Sequence, residues 1–290
     1  MKKAVVIGGS GFIGSHVADE LSACGFRTTI FESSCSNWLK VVQEMIKGDI
    51  QDFKAVRDVV KDAEVVYNFA ALSDLNDALR KPFQTLNINV IGNLNVLEAC
   101  RLENVKRFIY ASTIYVHSRE GGFYRCSKQA SESYVEEFKR TYDLDYTILR
   151  YGSLYGPRSD DSNGMRQIIK NALLNRKLSY NGHKDSMREY IHVADAAKAS
   201  IVALGDEFKN ESVVLTGHEP MKVLDVLKML GEILGLPESA IEFFDGEYEG
   251  HYIRTPYAYQ PKLGRKYIPP MHVDLGQGIL EVINEVEKKI

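Results

Sequence analysis

The sequence predicts an α/β fold, with a doubly wound parallel sheet followed by a smaller mixed C-terminal lobe. In the first half of the chain, short apolar runs alternate with stretches of helical spacing. After about residue 155 this alternation weakens, and Pro, Tyr and polar loops become more frequent. Strands that alternate with helices are typical of a parallel sheet, because each helix returns the chain to begin another strand in the same direction.

The elements follow one another in order along the chain. Apolar runs of strand length predict strands in "KAVVIG", "RTTIFE", "EMIKGD", "AEVVYNFAA" and "VKRFIYAST". Helical spacing predicts helices that end near Cys24, that cover about 52–61 and that cover about 83–103. We therefore divide the chain into domains at 1–155 and 156–290, and expect a segment near 186–205 to return to the first domain.

Composition narrows the function classes. The chain has 290 residues, 44% of them hydrophobic and 26% charged, and a formal net charge of -3. This balance gives no reason to expect nucleic acid or a membrane surface as a partner. No apolar run is long enough to span a bilayer, so we expect a cytoplasmic protein. Its four cysteines lack the paired spacing of a metal site, so we expect no metal.

The stretch "GGSGFIG" follows the first apolar run directly and precedes the first helix. A tight strand-to-helix turn alone would explain its glycines. In a parallel sheet the same spacing suits a dinucleotide: Gly8 opens the turn, Gly11 admits a pyrophosphate and Gly14 lets the helix pack closely. We count Phe12 and Ile13, which lie between these glycines, among the cofactor-binding residues. The sequence thus predicts a Rossmann-type nucleotide site.

Glu32 ends the second predicted strand, eighteen residues after Gly14. An acidic side chain at this place can accept hydrogen bonds from both hydroxyls of the adenosine ribose, and it repels a 2′-phosphate. The alternative is a solvated strand end. We interpret Glu32 as a cofactor residue and expect NAD rather than NADP.

The segment "ASTIYVHSREGGFYRCSK" carries the candidate catalytic residues. Tyr124 and Lys128 are four positions apart and share a face of a predicted helix. Thr113 ends the preceding strand, at the edge where parallel sheets bind ligands. Each feature alone is common, but together with the glycine turn and Glu32 they indicate a catalytic site rather than a purely structural arrangement.

With these motifs the sequence resembles the extended short-chain dehydrogenase/reductases, in particular the nucleotide-sugar epimerase/dehydratase group that includes UDP-glucose 4-epimerase-like proteins. The resemblance covers nearly the whole chain and includes "GGSGFIG", "KGDIQD", "NFAA", "NINVIGNLNVLEAC", "YRCSK", "LRYGSLYGPR" and "REYIHVADAA". It makes 1–155 an NAD-binding domain and 156–290 a substrate-binding lobe.

The resemblance also implies roles for individual residues. Asp49 and Ile50 would flank the adenine; Phe69, Ala70 and Ala71 would line the cofactor groove; Asn89 would help to order the sheet edge. Arg188 would bind the diphosphate of a sugar nucleotide, for which a planar guanidinium is well suited.

These assignments imply a mechanism for the hydroxyls of Tyr124 and Thr113 and the amine of Lys128. Tyr124 would be the general base, although a free phenol has a pKa of about 10, too high for a base at neutral pH. We expect the ammonium of Lys128 and the positive nicotinamide ring of the cofactor to lower that pKa, and Lys128 also to hold the nicotinamide ribose. The Thr113 hydroxyl would bond the oxygen that passes between alcohol and ketone.

Several positions depart from the family pattern. Dehydratases of this family carry an acidic pair directly after the threonine, where this chain has Ile114 and Tyr115, so dehydration is not expected. His117 replaces a usual aromatic residue, and the loop 118–123 is short. His117 is either a catalytic group or, as we favour, a packed or hydrogen-bonded side chain.

The substrate motifs differ as well. Ser153 stands where the family has a phosphate-contacting Asn, and a late Arg-x-Gly-Asp motif is missing. Arg254, with Tyr257 and Tyr259, would replace that contact or would belong to a surface loop.

Three function classes therefore remain. The first is an epimerase, or a close relative, that acts at C4 of a nucleotide-linked sugar. The second is a net dehydrogenase or reductase of a sugar nucleotide or another small alcohol or ketone, and the third is a non-catalytic dinucleotide-binding protein. The helices at 86–103 and 124–142 have broad apolar faces, which suit either the core or a homodimer.

Overall fold

The computed structural model describes residues 1–244. Strands lie at β1 (Lys3–Ile7), β2 (Arg27–Glu32), β3 (Glu44–Lys47), β4 (Val65–Asn68), β5 (Arg107–Thr113), β6 (Tyr146–Tyr151), β7 (Ser153–Tyr155), β8 (Leu178–Asn181), β9 (Met187–Arg188), β10 (Tyr190–His192), β11 (Glu211–Leu215), β12 (Met221–Lys222) and β13 (Ile241–Phe244). Helices lie at α1 (Phe12–Ala23), α2 (Phe53–Val60), α3 (Leu75–Arg80), α4 (Pro82–Leu86), α5 (Gly92–Leu102), α6 (Gly122–Tyr142), α7 (Gly164–Asn175), α8 (Val193–Val202) and α9 (Val223–Leu234).

The main sheet has the strand order β11-β6-β5-β4-β1-β2-β3, and every neighbouring pair is parallel. Both faces are covered. Along β1, Val5 and Ile7 pack in one core layer with α2 and α5, while Ala4 and Val6 pack in the other with α1 and α8. Burial on both faces explains why these strands read as continuous apolar runs. The sheet confirms the predicted fold class.

The predicted long helix at 83–103 is interrupted in the structure. It begins as α4, widens into a π-helical turn at Asn87–Ile91 and continues as α5. Within this turn the carbonyl of Asn89 accepts a hydrogen bond from Ser131 Oγ at 2.8 Å. A side chain of α6 thus takes part in the bonding of the wide turn, and such turns are frequent at functional sites.

The chain returns to the main sheet after the predicted boundary at residue 155. Helix α8 packs on α1 through Ala196 and Ala197, and β11 forms the edge strand beside β6. The return thus reaches residue 215, beyond the expected segment near 186–205. The smaller lobe has its own core around α7, β8 and α9. The two-domain division stays a prediction.

Candidate active site

A cleft of about 990 Å³ opens along the carboxyl ends of the main-sheet strands. Ligands of open parallel sheets bind at this edge. The residues predicted from sequence that line it are Gly8, Gly11, Phe12, Ile13, Gly14, Glu32, Asp49, Ile50, Phe69, Ala70, Ala71, Thr113, Tyr124, Lys128, Ser153 and Arg188. Arg254, Tyr257 and Tyr259 lie outside the described residues.

The glycine turn forms one wall of this cleft. Gly8 has φ +79°, and a Cβ built on Gly14 would lie 2.3 Å from the Gly8 carbonyl oxygen, so the protein's own packing requires both glycines. At Gly11 a Cβ would meet only that oxygen, at 3.4 Å, an ordinary contact. The protein's own packing therefore does not require glycine at position 11. Glycine there leaves the start of α1 open to a ligand in the cleft.

The start of α1 suits an anion. Gly11 is the N-cap residue and has no side chain to cap the helix, and the first turn holds no acidic residue. The first N–H groups of a helix attract phosphate through their unsatisfied donors and the helix dipole. The turn therefore fits the pyrophosphate of a dinucleotide.

The opposite end of this wall is acidic. Glu32 ends β2, and its Oε1 accepts hydrogen bonds from Ser33 N at 3.0 Å and Ser33 Oγ at 3.3 Å. Asp49 Oδ1 accepts from Gln51 N at 2.9 Å, and Ile50 is buried beside it. Two carboxylates lining this end suit ribose hydroxyls and disfavour a further phosphate.

Asn89 does not line the cleft, unlike the other cofactor residues predicted among those described. Its Oδ1 accepts from Leu72 N at 2.7 Å, and its Nδ2 donates to Leu72 O at 3.1 Å and to Ser127 Oγ at 2.9 Å. The structure therefore places Asn89 as a tie between α6 and the loop that follows β4, without access to the cleft. These bonds accord with the expected role of Asn89 in ordering the sheet edge, and its assignment as a cofactor residue stays a prediction.

Thr113, Tyr124 and Lys128 meet at the cleft. The Tyr124 hydroxyl is hydrogen-bonded to Thr113. Lys128 is buried, and its Nζ donates to the carbonyl of Ala111 at 2.7 Å and lies 5.7 Å from the centroid of the Tyr124 ring. The end of β5 and one face of α6 thus bring two hydroxyls and an amine together.

The electrostatics of this trio differ from the sequence-based expectation. Burial raises the pKa of Tyr124 to about 12, and the hydrogen bond with Thr113 opposes this only in part. Burial lowers the pKa of Lys128 to about 7, against the opposing effect of Glu132. The expected depression of the Tyr124 pKa by Lys128 is absent from the protein alone, because the amine is itself only partly charged near neutral pH.

A buried polar cluster behind the trio was missed from the sequence. Glu132 accepts hydrogen bonds from Ser112 Oγ at 2.5 Å and from Arg150 Nη2 at 2.7 Å. Arg150 Nη1 lies 3.2 Å from His117 Nε2. His117 is not among the residues that line the cleft, and its place beside Arg150 matches the hydrogen-bonded interpretation. In the sequence, the position of Glu132 one helical turn after Lys128 could have pointed to this cluster.

The far wall of the cleft belongs to the smaller lobe. Arg188 is buried; its Nη1 donates to Met187 O at 2.8 Å and its Nη2 donates to Tyr180 Oη at 2.9 Å. Ser153 lies on β7, paired with β10. A guanidinium held on this wall faces the same cleft as the glycine turn, where a second anionic group can be bound.

The two positions after Thr113 have separate surroundings. Both Ile114 and Tyr115 line the cleft, but Ile114 is buried, with 1% of its surface exposed. Neither side chain is acidic.

In the described residues no helix is long and apolar enough to cross a membrane, and none of their His, Cys, Asp and Glu residues cluster in threes as metal ligands do.

Comparison with known proteins identifies relatives along most of the chain. It is 28% identical to a putative UDP-glucose 4-epimerase of Methanocaldococcus jannaschii, over 97% of both chains. It is 26% identical to a dTDP-glucose 4,6-dehydratase of Mycolicibacterium smegmatis, over 97% of this chain and 92% of the relative.

Solved structures share the fold. The UDP-glucose 4-epimerase of Thermotoga maritima, solved with UDP-glucose, matches with a TM-score of 0.79 and 26% identity, over 89% of this chain and 90% of that one. The model of the NAD dependent epimerase/dehydratase family matches residues 4–215. The resemblance and the NAD prediction are thereby confirmed: this chain belongs to the NAD-dependent epimerase/dehydratase family.

Proposed function

We propose that the protein is an NAD-dependent epimerase that acts at C4 of a nucleotide-linked sugar through a 4-keto intermediate. The observation that carries the proposal is the meeting of Thr113, Tyr124 and Lys128 in one cleft that Arg188 also lines. A dinucleotide-binding protein without catalysis has no need of this trio. When bound, NAD supplies the centre that accepts a hydride and returns it.

The chain's own groups divide the remaining work. Tyr124 accepts the proton of the sugar hydroxyl, and Thr113 bonds the same oxygen and orients it. With the Tyr124 pKa near 12, proton transfer at neutral pH requires added positive charge beside the phenol. Protonated Lys128 supplies part of that charge and also holds the ribose of the cofactor.

The substrate side rests on Arg188, which we assign to the diphosphate. Tyr180 and the backbone of Met187 hold its guanidinium against the cleft wall. The relative from Thermotoga maritima was solved with UDP-glucose, which supports a sugar nucleotide here. Ser153 is assigned to the same ligand, and Arg254 is retained as a candidate outside the described residues.

Net dehydration is not part of the proposal. A 4,6-dehydratase relative exists at 26% identity, so family membership alone does not separate the reactions. Elimination of water needs acid and base groups beside the sugar, and the two positions after Thr113 hold Ile114 and Tyr115. These side chains favour epimerisation without loss of water.

A net 4-dehydrogenase or 4-keto reductase is the second candidate, favoured by Ser153 at a position where the family has Asn.

We further propose a cytoplasmic homodimer that associates through α5 and α6. Tyr134 and Tyr142 on α6 are 44% and 52% exposed, in accord with an outward apolar face. Sedimentation equilibrium would report a monomer if this association does not occur.

The deciding experiment examines purified protein after gel filtration. For an epimerase we expect cofactor absorbance to remain with the protein, and UDP-glucose to equilibrate with its C4 epimer without net NADH. Stoichiometric NADH formed from added NAD would favour the dehydrogenase. The Tyr124→Phe protein serves as the control for contaminating activity.

A further inference from the structure

A buried carboxylate lies beneath the proposed catalytic trio. Glu132 on α6 is 7% exposed. Its Oε1 accepts hydrogen bonds from Ser112 Oγ at 2.5 Å and from Arg150 Nε at 3.0 Å, and its Oε2 accepts from Arg150 Nη2 at 2.7 Å. A buried carboxylate with three donors has a defined place, because each bond restricts its rotation.

The carboxylate connects the elements that carry the trio. Ser112 immediately precedes Thr113 on β5, and Glu132 follows Lys128 by one turn of α6. Arg150 on β6 is the register partner of Ser112 and lies beside His117. His117 ends the 3₁₀ turn that starts directly after Thr113. Glu132 thus joins the helix to the strand end directly, and to the turn through Arg150.

We propose that Glu132 is a positioning residue, which fixes the strand end that carries Thr113 and maintains the ammonium charge of Lys128. The proposal rests on the proposed function for its catalytic meaning. Its structural part concerns only the relation of Glu132 to Ser112, Arg150 and Lys128, and can be measured in the free protein.

The charge argument starts from the surroundings of Lys128. Its amine faces the Ala111 carbonyl, the Tyr110 ring at 4.8 Å and the Tyr124 ring at 5.7 Å. Burial lowers the pKa of Lys128 to about 7, and Glu132 acts in the opposite direction. Loss of the carboxylate would therefore leave Lys128 mainly neutral at pH 7.

Arg150 and His117 lie beside Glu132, the titratable hydroxyls of Tyr110 and Tyr146 are also near it, and Glu136 acts on Arg150. The Arg150 guanidinium pairs with the carboxylate, and burial followed by Arg150 lowers the pKa of His117. His117 is thus neutral at pH 7 and can accept from Arg150. Neither group replaces the negative charge that Glu132 presents to Lys128.

The test titrates Lys128 directly in protein without cofactor, by NMR with isotopically labelled lysine, assigning its signal by its absence in Lys128→Met. Opposite charges nearby shift a pKa by roughly 1 to 3 units. We expect Glu132→Gln to lower the Lys128 midpoint by about one pH unit. The matched control is Glu137→Gln, which removes an exposed carboxylate from the same helix, where it pairs with Arg140. An unchanged midpoint in folded Glu132→Gln would overturn the charge role.

A second variant tests the tie to the strand end and decides the matter if Glu132→Gln does not fold. Ser112→Ala removes one donor and leaves the Glu132–Arg150 pair in place. We expect kcat to fall by about tenfold with little change in KM, as for a misplaced Thr113. Wild-type kcat in Ser112→Ala would contradict the positioning of Thr113. Absence of any epimerase activity in wild type would instead contradict the proposed function, while the Lys128 titration would still report on Glu132.

Discussion

Arg188 donates a hydrogen bond from Nη2 to the hydroxyl of Tyr180 at 2.9 Å. A second bond, from Nη1 to Met187 O at 2.8 Å, holds the other arm of the guanidinium. A fixed guanidinium loses little conformational freedom when it binds a diphosphate. The smaller lobe thus prepares this side chain for an anion.

Arg188→Ala should weaken nucleotide-sugar binding by about 2 to 3 kcal/mol, as expected for loss of a charge-assisted contact. NAD affinity should hardly change, because the cofactor residues lie on the other wall. Calorimetry with UDP-glucose and with NAD measures both affinities. Arg166→Ala, at an exposed ion pair with Asp161, is the control. Equal loss of both affinities would count against the assignment.

Tyr124→Phe should reduce hydride transfer by about 10² to 10⁴ while fold and NAD binding persist, because the ring remains and only the proton acceptor is lost. Thr113→Val should cause a smaller loss, since water can partly replace an orienting hydroxyl. Single-turnover reduction of bound NAD measures the step, with Tyr134→Phe on the same helix as control. A wild-type rate in Tyr124→Phe would require another base.

Glu32 should make NAD bind at least tenfold more tightly than NADP, because its carboxylate bonds ribose hydroxyls and repels a phosphate. Replacement by Ser should reduce this preference. Fluorescence titration with both cofactors gives the ratio for each protein. Glu44→Gln, on neighbouring β3, controls for a change in overall charge. Equal binding of the two cofactors by wild type would refute the role of Glu32.

Lys128→Met should lose activity and NAD affinity but gain stability near neutral pH. The folded pKa of Lys128, about 7, lies below the unfolded value of about 10.4. Between these values the unfolded chain binds more protons, so stability rises with pH, and below pH 7 the full cost of burying the charge remains. At pH 6 we expect Lys128→Met to gain on the order of 1 kcal/mol.

Urea unfolding from pH 6 to pH 10 measures this gain, which should shrink as the pH rises. Lys139→Met is the comparison, because the hydrogen bonds that Lys139 donates to Asp143 and Asp145 raise its pKa, and its loss should not stabilise the protein. A loss of stability in Lys128→Met at pH 6 would contradict the expected free-energy cost of burying the charged amine.

The sequence predicts the main sheet well where its strands are long. Val5 and Ile7 on one face and Ala4 and Val6 on the other are all buried, and such runs are readable without a structure. Strand β11 and the paired two- and three-residue strands of the smaller lobe were not predicted. The two- and three-residue strands have too little pattern of their own, and β11 is an edge strand without a fully buried residue, so a neighbouring strand is needed to define them.

The sequence alone predicts the glycine turn and the trio. Glycines at 8, 11 and 14 define a local turn, and residues four apart lie on one face of a helix, so both features depend on residues close together in the chain. Ser112, Glu132 and Arg150 come together only through the packing of β5, α6 and β6. The direction of the Tyr124 and Lys128 pKa shifts was also decided by tertiary structure. Residue type determines which proton each group can move, whereas burial, a property of the folded chain, determines the pH at which it moves.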